Sequence, residues 1–576
     1  MESNAILDGL PDHLKQYIKP QHYEGYTEIN QSVWRYVMRR NYEFLNTHAH
    51  EYYREGLKKT GVSINHIPNL YGMNRILKDI GWTAVAVDGF IPPAAFMEFQ
   101  AYNVLIIASE IRQLKNIEYT PAPDILHEAG GHAPFLAHPE YAEFLRRFGQ
   151  IGSKAIASSH DWELFIAIRD LSILKESPAA IQTEIDAAEE KVIQLQQTKK
   201  DFSEMELIRN LHWWTVEYGL IGNKKDFKLF GAGLLSSIGE AKWCLSDSVS
   251  KQPLTLAAVH QKFDITQPQP QLFITPNFSH LSKVLEELAD QMALRKGGKE
   301  GLQKLIASKQ LGTLELSTGI QISGIFSHCI SNPKDTNKVA YFRTEGDTAL
   351  SFRNSELMGH GSKVHNGFGS PIGKLKKSNL AIEDMTPYDL EAFGIVEGEN
   401  KLLEFESGVV VKGTIITGVR NFSGKILLIS FKNCLVTFQD QVLFEPNWGV
   451  FDMVVGNGIL AAYAGCADNH SFKVDKKTYS STPNIKIPFE NKCYQDIKNL
   501  AASLNDTPED IALLWTQIKQ LPSNHWLVVL DFYEICLQKK MVDYSKKTLI
   551  HLKKISEENP SYSHLITDGI SLINTL

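Results

Sequence analysis

Two histidines five residues apart, His127 and His132, follow a proline-punctuated approach, Thr120-Pro121-Ala122-Pro123-Asp124. Neutral imidazoles are common ligands of transition metals. Asp124 suits a helix N-cap, which puts His127 in the first turn. There the positive end of the helix dipole disfavours its protonation and leaves a lone pair for a metal. The spacing is awkward. Zinc proteases place two histidines at i and i+4 on one helical face, whereas i and i+5 stand about 140° apart on a regular helix. Gly130-Gly131 leaves room for local adjustment. Read alone, the pair is either a metal site or two unrelated histidines at a helix start.

A carboxylate joins them downstream, in Leu211-His212-Trp213-Trp214-Thr215-Val216-Glu217-Tyr218-Gly219-Leu220. On a helix Leu211, Trp214 and Tyr218 share one face, and Trp213, Glu217 and Leu220 share the next. An ionised Glu217 among such groups is costly unless it is paired or bound to a cation. A buried salt bridge is one reading. The other is a triad of two histidines and one carboxylate, whose open positions suit oxygen chemistry at iron(II). A zinc hydrolase using His127, His132 and Glu128 as general base is a third.

The elements that must hold these groups are mostly helical. Val33 to about Lys58 has helical periodicity, stopped by Gly61. Trp82 to Val87 is β-capable, and Asp88-Gly89 with Pro92-Pro93 marks a loop. Phe96–Gln113, Leu207–Leu220, Gly231–Leu245 and Leu281–Leu294 read as helices, and Ser177–Asp201 as a solvated one. Near Gly312 the pattern changes to short β-branched runs such as Ile320–Ile325, Val409–Val411, Thr414–Thr417 and Ile426–Phe431. Helical spacing returns from about Tyr494, broken at Pro508 and Pro522. The expected layout is an arm over 1–30, a mostly α catalytic domain over 31–305, a β-rich domain of unknown role over 310–488 and a helical C-terminal tail over 489–576. His360-Gly361-Ser362-Lys363-Val364-His365 reads as an ordinary surface turn.

Composition narrows the function classes. A net charge of −7 over 576 residues argues against nucleic acid or an anionic membrane as main partner. The six cysteines form no C-x-x-C pair and read as reduced thiols in a cytoplasmic protein. No basic-then-apolar leader opens the chain, and no uncharged stretch reaches the roughly 20 apolar residues that span a bilayer. The expectation is small-molecule substrates, with the oligomeric state left open. A non-catalytic binding protein centred on the C-terminal half is the rival from another class.

At this point the chain resembles the pterin-dependent aromatic amino acid hydroxylases. The resemblance rests on Pro123-Asp124 before His127-Glu128 and His132, on Trp213-Trp214-Thr215-Val216-Glu217-Tyr218-Gly219-Leu220, and on Phe230-Gly231-Ala232-Gly233-Leu234-Leu235-Ser236-Ser237-Ile238-Gly239-Glu240. Trp34-Arg35, His48-Ala49-His50-Glu51-Tyr52, Ile67-Pro68 and Gly81-Trp82 recur in order, and the likeness spans roughly 30–300. It implies mononuclear Fe(2+), tetrahydrobiopterin or a related reduced pterin, and hydroxylation of an aromatic amino acid by dioxygen. L-Phenylalanine to L-tyrosine is the default; tryptophan and tyrosine are alternatives. Carried over by position, it implies His127, His132 and Glu217 as iron ligands and Arg112 as partner of the substrate carboxylate. It puts Thr120, Trp213, Gly233 and Ser236 at the substrate pocket, Glu128 near pterin and iron, and Phe90, Ile91 and Phe96 at the pterin loop. Glu128 and Trp213 are the candidate catalytic side chains. Departures from the family pattern are Ala129 and Gly130 where bulky apolar residues are usual, Pro92-Pro93 in the pterin loop, and His212 where Tyr or Phe is common.

Overall fold

The computed structural model describes residues 4–87, 91–118, 123–176, 181–197, 202–264, 267–472, 489–503 and 507–575. The helix Glu28–His48 is the backbone of the first half. It opens on a reciprocal capping box between Thr27 and Asn30 and buries Val33, Trp34, Tyr36, Val37, Met38 and Leu45. Tyr52–Lys59 follows, and Gly61 ends it at a φ of 73°, which only glycine adopts cheaply.

Two expectations for this half are corrected. Residues 4–30 are not a loose arm. Leu10 and Leu14 are buried, Ile18–Lys19 pairs antiparallel with Thr83–Val87, and Glu28 already begins the long helix. Elements of two to four residues are too short to carry a period. The helix expected over Phe96–Gln113 is instead the helix Pro93–Ala101 and the strand Val104–Ala108, parallel to Thr83–Val87. Asn103, at a φ of 59°, turns the chain between them, and the Val-Leu-Ile-Ile run favours the fully buried strand.

A second small sheet orders Phe227–Leu229, Leu220–Gly222, Gln271–Thr275 and Ser250–Pro253. Ser159–Glu176 and Gln182–Gln197 form a helical hairpin, the second helix mostly exposed, as its mixed charge suggests. Among the described residues no helix is long and apolar enough to cross a membrane.

From Leu311 to Ala464 the chain is β-rich. One sheet runs Ser355–Glu356, Asp335–Phe352, Ile320–Asn332, Leu311–Leu316, Ile459–Ala464, with His365–Pro371 added on Asp335–Phe352. The other runs Asn400–Glu404, Val409–Arg420, Ile426–Phe438, Gln441–Phe444, with Phe451–Val454 paired to Ile426–Phe438. The two runs expected at Val409–Val411 and Thr414–Thr417 are one strand. They join at Gly413, where the register against Ile426–Phe438 shifts and a Cβ would lie 3.0 Å from the Cys434 backbone.

The C-terminal helices are not a tail. Trp526–Gln538 lies against Glu28–His48 and shares its core. Trp526 meets Tyr36 edge-on at 5.1 Å, and Tyr36 donates to the Leu565 carbonyl at 2.8 Å. Arg35 reaches Asp531 at 2.9 Å, and Arg39 takes both oxygens of Glu534 at 2.9 Å. Local periodicity cannot reveal a contact between segments some 490 positions apart in the chain; the Arg35–Asp531 pair spans 496. Trp526→Ala is therefore expected to destabilise the whole helical half by about 3–5 kcal/mol. The urea midpoint of the full chain measures it, and a wild-type midpoint would refute the shared core.

Candidate metal centre

Both histidine and glutamate segments leave α geometry where they carry the site. The Ala133 N–H donates to the Glu128 carbonyl, five residues back, making Glu128–His132 a π turn. The Tyr218 N–H donates to the Trp213 carbonyl at 2.9 Å, making Trp213–Glu217 a second. Such turns close i to i+5 and recur at functional sites. They resolve the awkward spacing: in a turn of that register, residues five apart come onto one face. His127 Nε2 and His132 Nε2 lie 3.1 Å apart.

Local causes for each turn are visible. Pro134 has no N–H to offer the Gly130 carbonyl, four residues back, so this turn cannot stay fully α-bonded. Gly131 lets it approach the next block: a Cβ there would sit 2.5 Å from the Ala232 carbonyl oxygen. At Gly130 the Met38 sulfur fills the space, 2.8 Å from where a Cβ would stand. In the second turn the Thr215 hydroxyl donates to the Leu211 carbonyl at 2.6 Å, competing for an α-helical acceptor. Gly231 and Gly233 pack against the Glu217 carbonyl, where Cβ atoms would lie at 2.5 and 3.1 Å.

The chemistry converges on Glu217. Its Oε2 is 3.2 Å from His127 Nε2 and its Oε1 3.3 Å from His132 Nε2. Glu128 Oε2 is farther, 3.8 Å from His132, and has no hydrogen-bond partner although buried. Ser236 assigns the His127 tautomer. Its hydroxyl donates to the Ala232 carbonyl at 2.8 Å, so at 2.9 Å it accepts from His127 Nδ1–H. That leaves a lone pair on His127 Nε2, facing His132 and Glu217.

These donors fit a metal ion. Bonds of about 2.0–2.2 Å put neighbouring ligand atoms roughly 3 Å apart, which the 3.1, 3.2 and 3.3 Å separations match. The ion-pair partners of Glu217 are all imidazoles, His127, His132 and His212 at 3.6 Å. Burial opposes its ionisation, but His132 and then His127 hold its carboxyl well below the usual range. Burial pushes Glu128 up to about 8 and His212 down to about 4. His212 is thus a neutral wall, packed edge-on by Phe148 at 5.2 Å and Phe96 at 5.7 Å.

The other expected residues are distributed around this centre. Arg112 is buried and held by Asp124: Nε at 2.8 Å, Nη2 at 2.9 Å and the backbone N–H at 3.0 Å. Only its Nη1 lacks a partner. Asp124 caps the helix as expected, accepting from the His127 N–H at 3.0 Å. Burial would raise its pKa, but the Arg112 charge and hydrogen bonds outweigh that and hold it below the usual range. Trp213 stacks on Phe263 at 4.2 Å and 10°, with Tyr218 on its flank at 4.7 Å. Ser236, expected among the substrate-pocket residues, has its hydroxyl engaged by His127 and Ala232, and Gly233 lies against Tyr218 and Glu217. Ile91 is half-buried against the cluster of Leu10, Leu14 and Phe99. Thr120 and Phe90 lie outside the described residues. Sequence reasoning missed Phe263, which carries no motif, and the role of Pro134, which a search for helix-register breaks could have found.

Comparison with known proteins agrees on one region. The sequence model of the family described as biopterin-dependent aromatic amino acid hydroxylase matches residues 16–163 and 188–296. The match begins before the boundary expected at 31, and its interruption falls on the helical hairpin. Phenylalanine-4-hydroxylase of Pseudomonas aeruginosa is 28% identical over 271 residues, covering 47% of this chain and 86% of that protein. Phenylalanine-4-hydroxylase of Chromobacterium violaceum is 24% identical over 277 residues, covering 47% and 78%. The crystal structure of C. violaceum phenylalanine hydroxylase with bound iron(III) and 7,8-dihydrobiopterin is 23% identical, covers 50% of this chain and 93% of that one, and has a TM-score of 0.38.

Removing an outer-shell partner of a ligating histidine typically costs 10–100-fold in metal affinity, so Ser236→Ala is expected to weaken iron(II) binding by about that factor. Equilibrium dialysis of the full chain reads it. Unchanged affinity would remove Ser236 from the role of fixing His127.

Proposed function

We propose that this chain, whose residues 16–163 and 188–296 match the biopterin-dependent aromatic amino acid hydroxylases, converts L-phenylalanine to L-tyrosine with dioxygen and a reduced pterin at a mononuclear non-haem iron. The observation that carries this reading is the meeting of His127, His132 and Glu217 within 3.1–3.3 Å through two π turns. Phenylalanine is favoured as substrate because the relatives from P. aeruginosa, C. violaceum and Vibrio cholerae carry the name phenylalanine-4-hydroxylase.

In this reading His127, His132 and Glu217 hold the iron, which with the reduced pterin supplies oxygen activation when bound. The chain's own residues do the rest. Ser236 keeps the His127 lone pair on Nε2. Arg112 offers Nη1 to the substrate carboxylate while Asp124 fixes the guanidinium plane. Trp213 and Phe263 form a flat apolar wall suited to an aromatic ring. Phe96 and Phe148 close off His212 and keep water from Glu217. Glu128, buried and with its Oε2 lacking a hydrogen-bond partner, stands beside His132. Phe96, on the helix Pro93–Ala101, would offer the pterin an aromatic face, and Gly233 would border the amino acid. Residues 31–305 form the bulk of the catalytic unit, and a cytoplasmic location fits six free cysteines.

The test is anaerobically purified chain loaded with iron(II), given tetrahydrobiopterin, oxygen and phenylalanine, tryptophan or tyrosine separately. L-Tyrosine from phenylalanine is expected, and no hydroxylated product from any of the three sinks the assignment. Arg112→Lys should raise the KM for phenylalanine about 10–100-fold, the worth of a charge-assisted hydrogen bond of roughly 1.5–3 kcal/mol. Phenethylamine, which lacks the carboxylate, should react equally with both proteins. An equal KM for phenylalanine in wild type and variant would separate Arg112 from the carboxylate.

A further inference from the structure

The segment His360–His365, an ordinary surface turn on sequence grounds, folds into a half-buried constellation. His360 sits in the loop after Ser355–Glu356, with its N–H on the Leu357 carbonyl and its own carbonyl accepting from Leu350, each at 2.9 Å. His365 opens the strand His365–Pro371 in register with Thr348. Asp452 comes from the other sheet, on Phe451–Val454, in register with Ser430. The three side chains are 15%, 12% and 10% exposed, so they are shielded yet open on one side.

Their atoms converge without satisfying one another. His360 Nδ1 is 3.2 Å from His365 Nε2. Asp452 Oδ2 is 3.7 Å from the first and 3.9 Å from the second, too far for a hydrogen bond to either. A shared proton between the imidazoles would leave that oxygen bonded to neither ring. Donors about 2.1 Å from one ion at tetrahedral angles lie roughly 3.4 Å apart, within the span of these separations. The outer shell is present as well. The Ser430 hydroxyl donates to Asp452 Oδ1 and so aims Oδ2 at the histidines. Phe368 packs edge-on against His365 at 5.3 Å.

We propose that His360, His365 and Asp452 bind a divalent zinc-class cation, with water as the fourth ligand, clamping the edges of the two β sheets together. Two imidazoles and one carboxylate suit zinc over magnesium or calcium, which take oxygen ligands. The site is separate from the iron centre in chain and sheet, and its test does not depend on the hydroxylase reading.

Zinc is titrated into chelator-treated full chain against a chromophoric chelator. The wild type is expected to bind one equivalent more than either His365→Ala or Asp452→Asn. Ser430→Ala, which keeps all three ligands, should retain that equivalent but bind it about 10–100-fold more weakly. Equal stoichiometry in the wild type and both ligand variants overturns the proposal, as does zinc affinity in Ser430→Ala identical to wild type.

Discussion

Ala133 gives its backbone N–H to Glu128 rather than to Ala129, and most of the first half of the molecule is arranged so that it can. A π turn forfeits regular α bonding and persists only where surrounding contacts hold it. Here they come from three directions. Met38 fills the side of Gly130, Ala232 presses its carbonyl on Gly131, and Pro134 has no N–H to give the Gly130 carbonyl. Restoring α register would rotate His132 away from His127 by about 140° and leave Glu217 buried with one imidazole fewer. The turn therefore controls whether the buried carboxylate is compensated.

The same economy links the histidine block to its neighbours. Asp124 holds the His127 N–H and three N–H groups of Arg112 at once. One carboxylate thus fixes both the backbone of a metal-facing residue and the plane of a buried guanidinium. Ser236 does the matching task from the opposite side, on the His127 ring. His127 is held at backbone and ring by groups 3 and 109 positions away in the chain. A ligand placed that firmly needs no rearrangement to meet an ion.

How legible this was in the sequence depended on range. Asp124 as a cap, Gly61 as a stop and Pro508 as a break between helices were readable because each acts within one turn. The strand Val104–Ala108 was lost to a helical reading because a short apolar run fits both periods, and Asn103, the residue that breaks the helix, is an inconspicuous turn former. The meeting of His127 with Glu217 could not be read from spacing, since both segments use a register that 3.6-residue reasoning excludes. The ordered motifs supplied what periodicity lacked. For His360 and His365 no motif helped, because their third partner, Asp452, is 87 positions on and in another sheet. Local pattern there describes only a turn.

The helix Glu28–His48 explains why the C-terminal helices belong to the same core. Along one side it carries Met38 into the gap at Gly130 and Asn41 to the Leu235 carbonyl at 3.0 Å, so it backs the π turn and the Ser236 block together. Along another it carries Ser32, Arg35 and Arg39 to Asp531 and Glu534, and Arg40 to Asp568 at 2.8 Å. Those acids come from residues beyond the hydroxylase match, which ends at 296. Their removal would leave Arg40, only 6% exposed, with Glu118 at 3.9 Å as its remaining ion pair. Losing the closer partner of a buried guanidinium is costly, and the nearest way to relieve it is for the helix to shift. Any such shift moves Met38 and Asn41, and with them the turn that brings His132 to His127. The C-terminal helices thus brace the metal centre through the helix Glu28–His48.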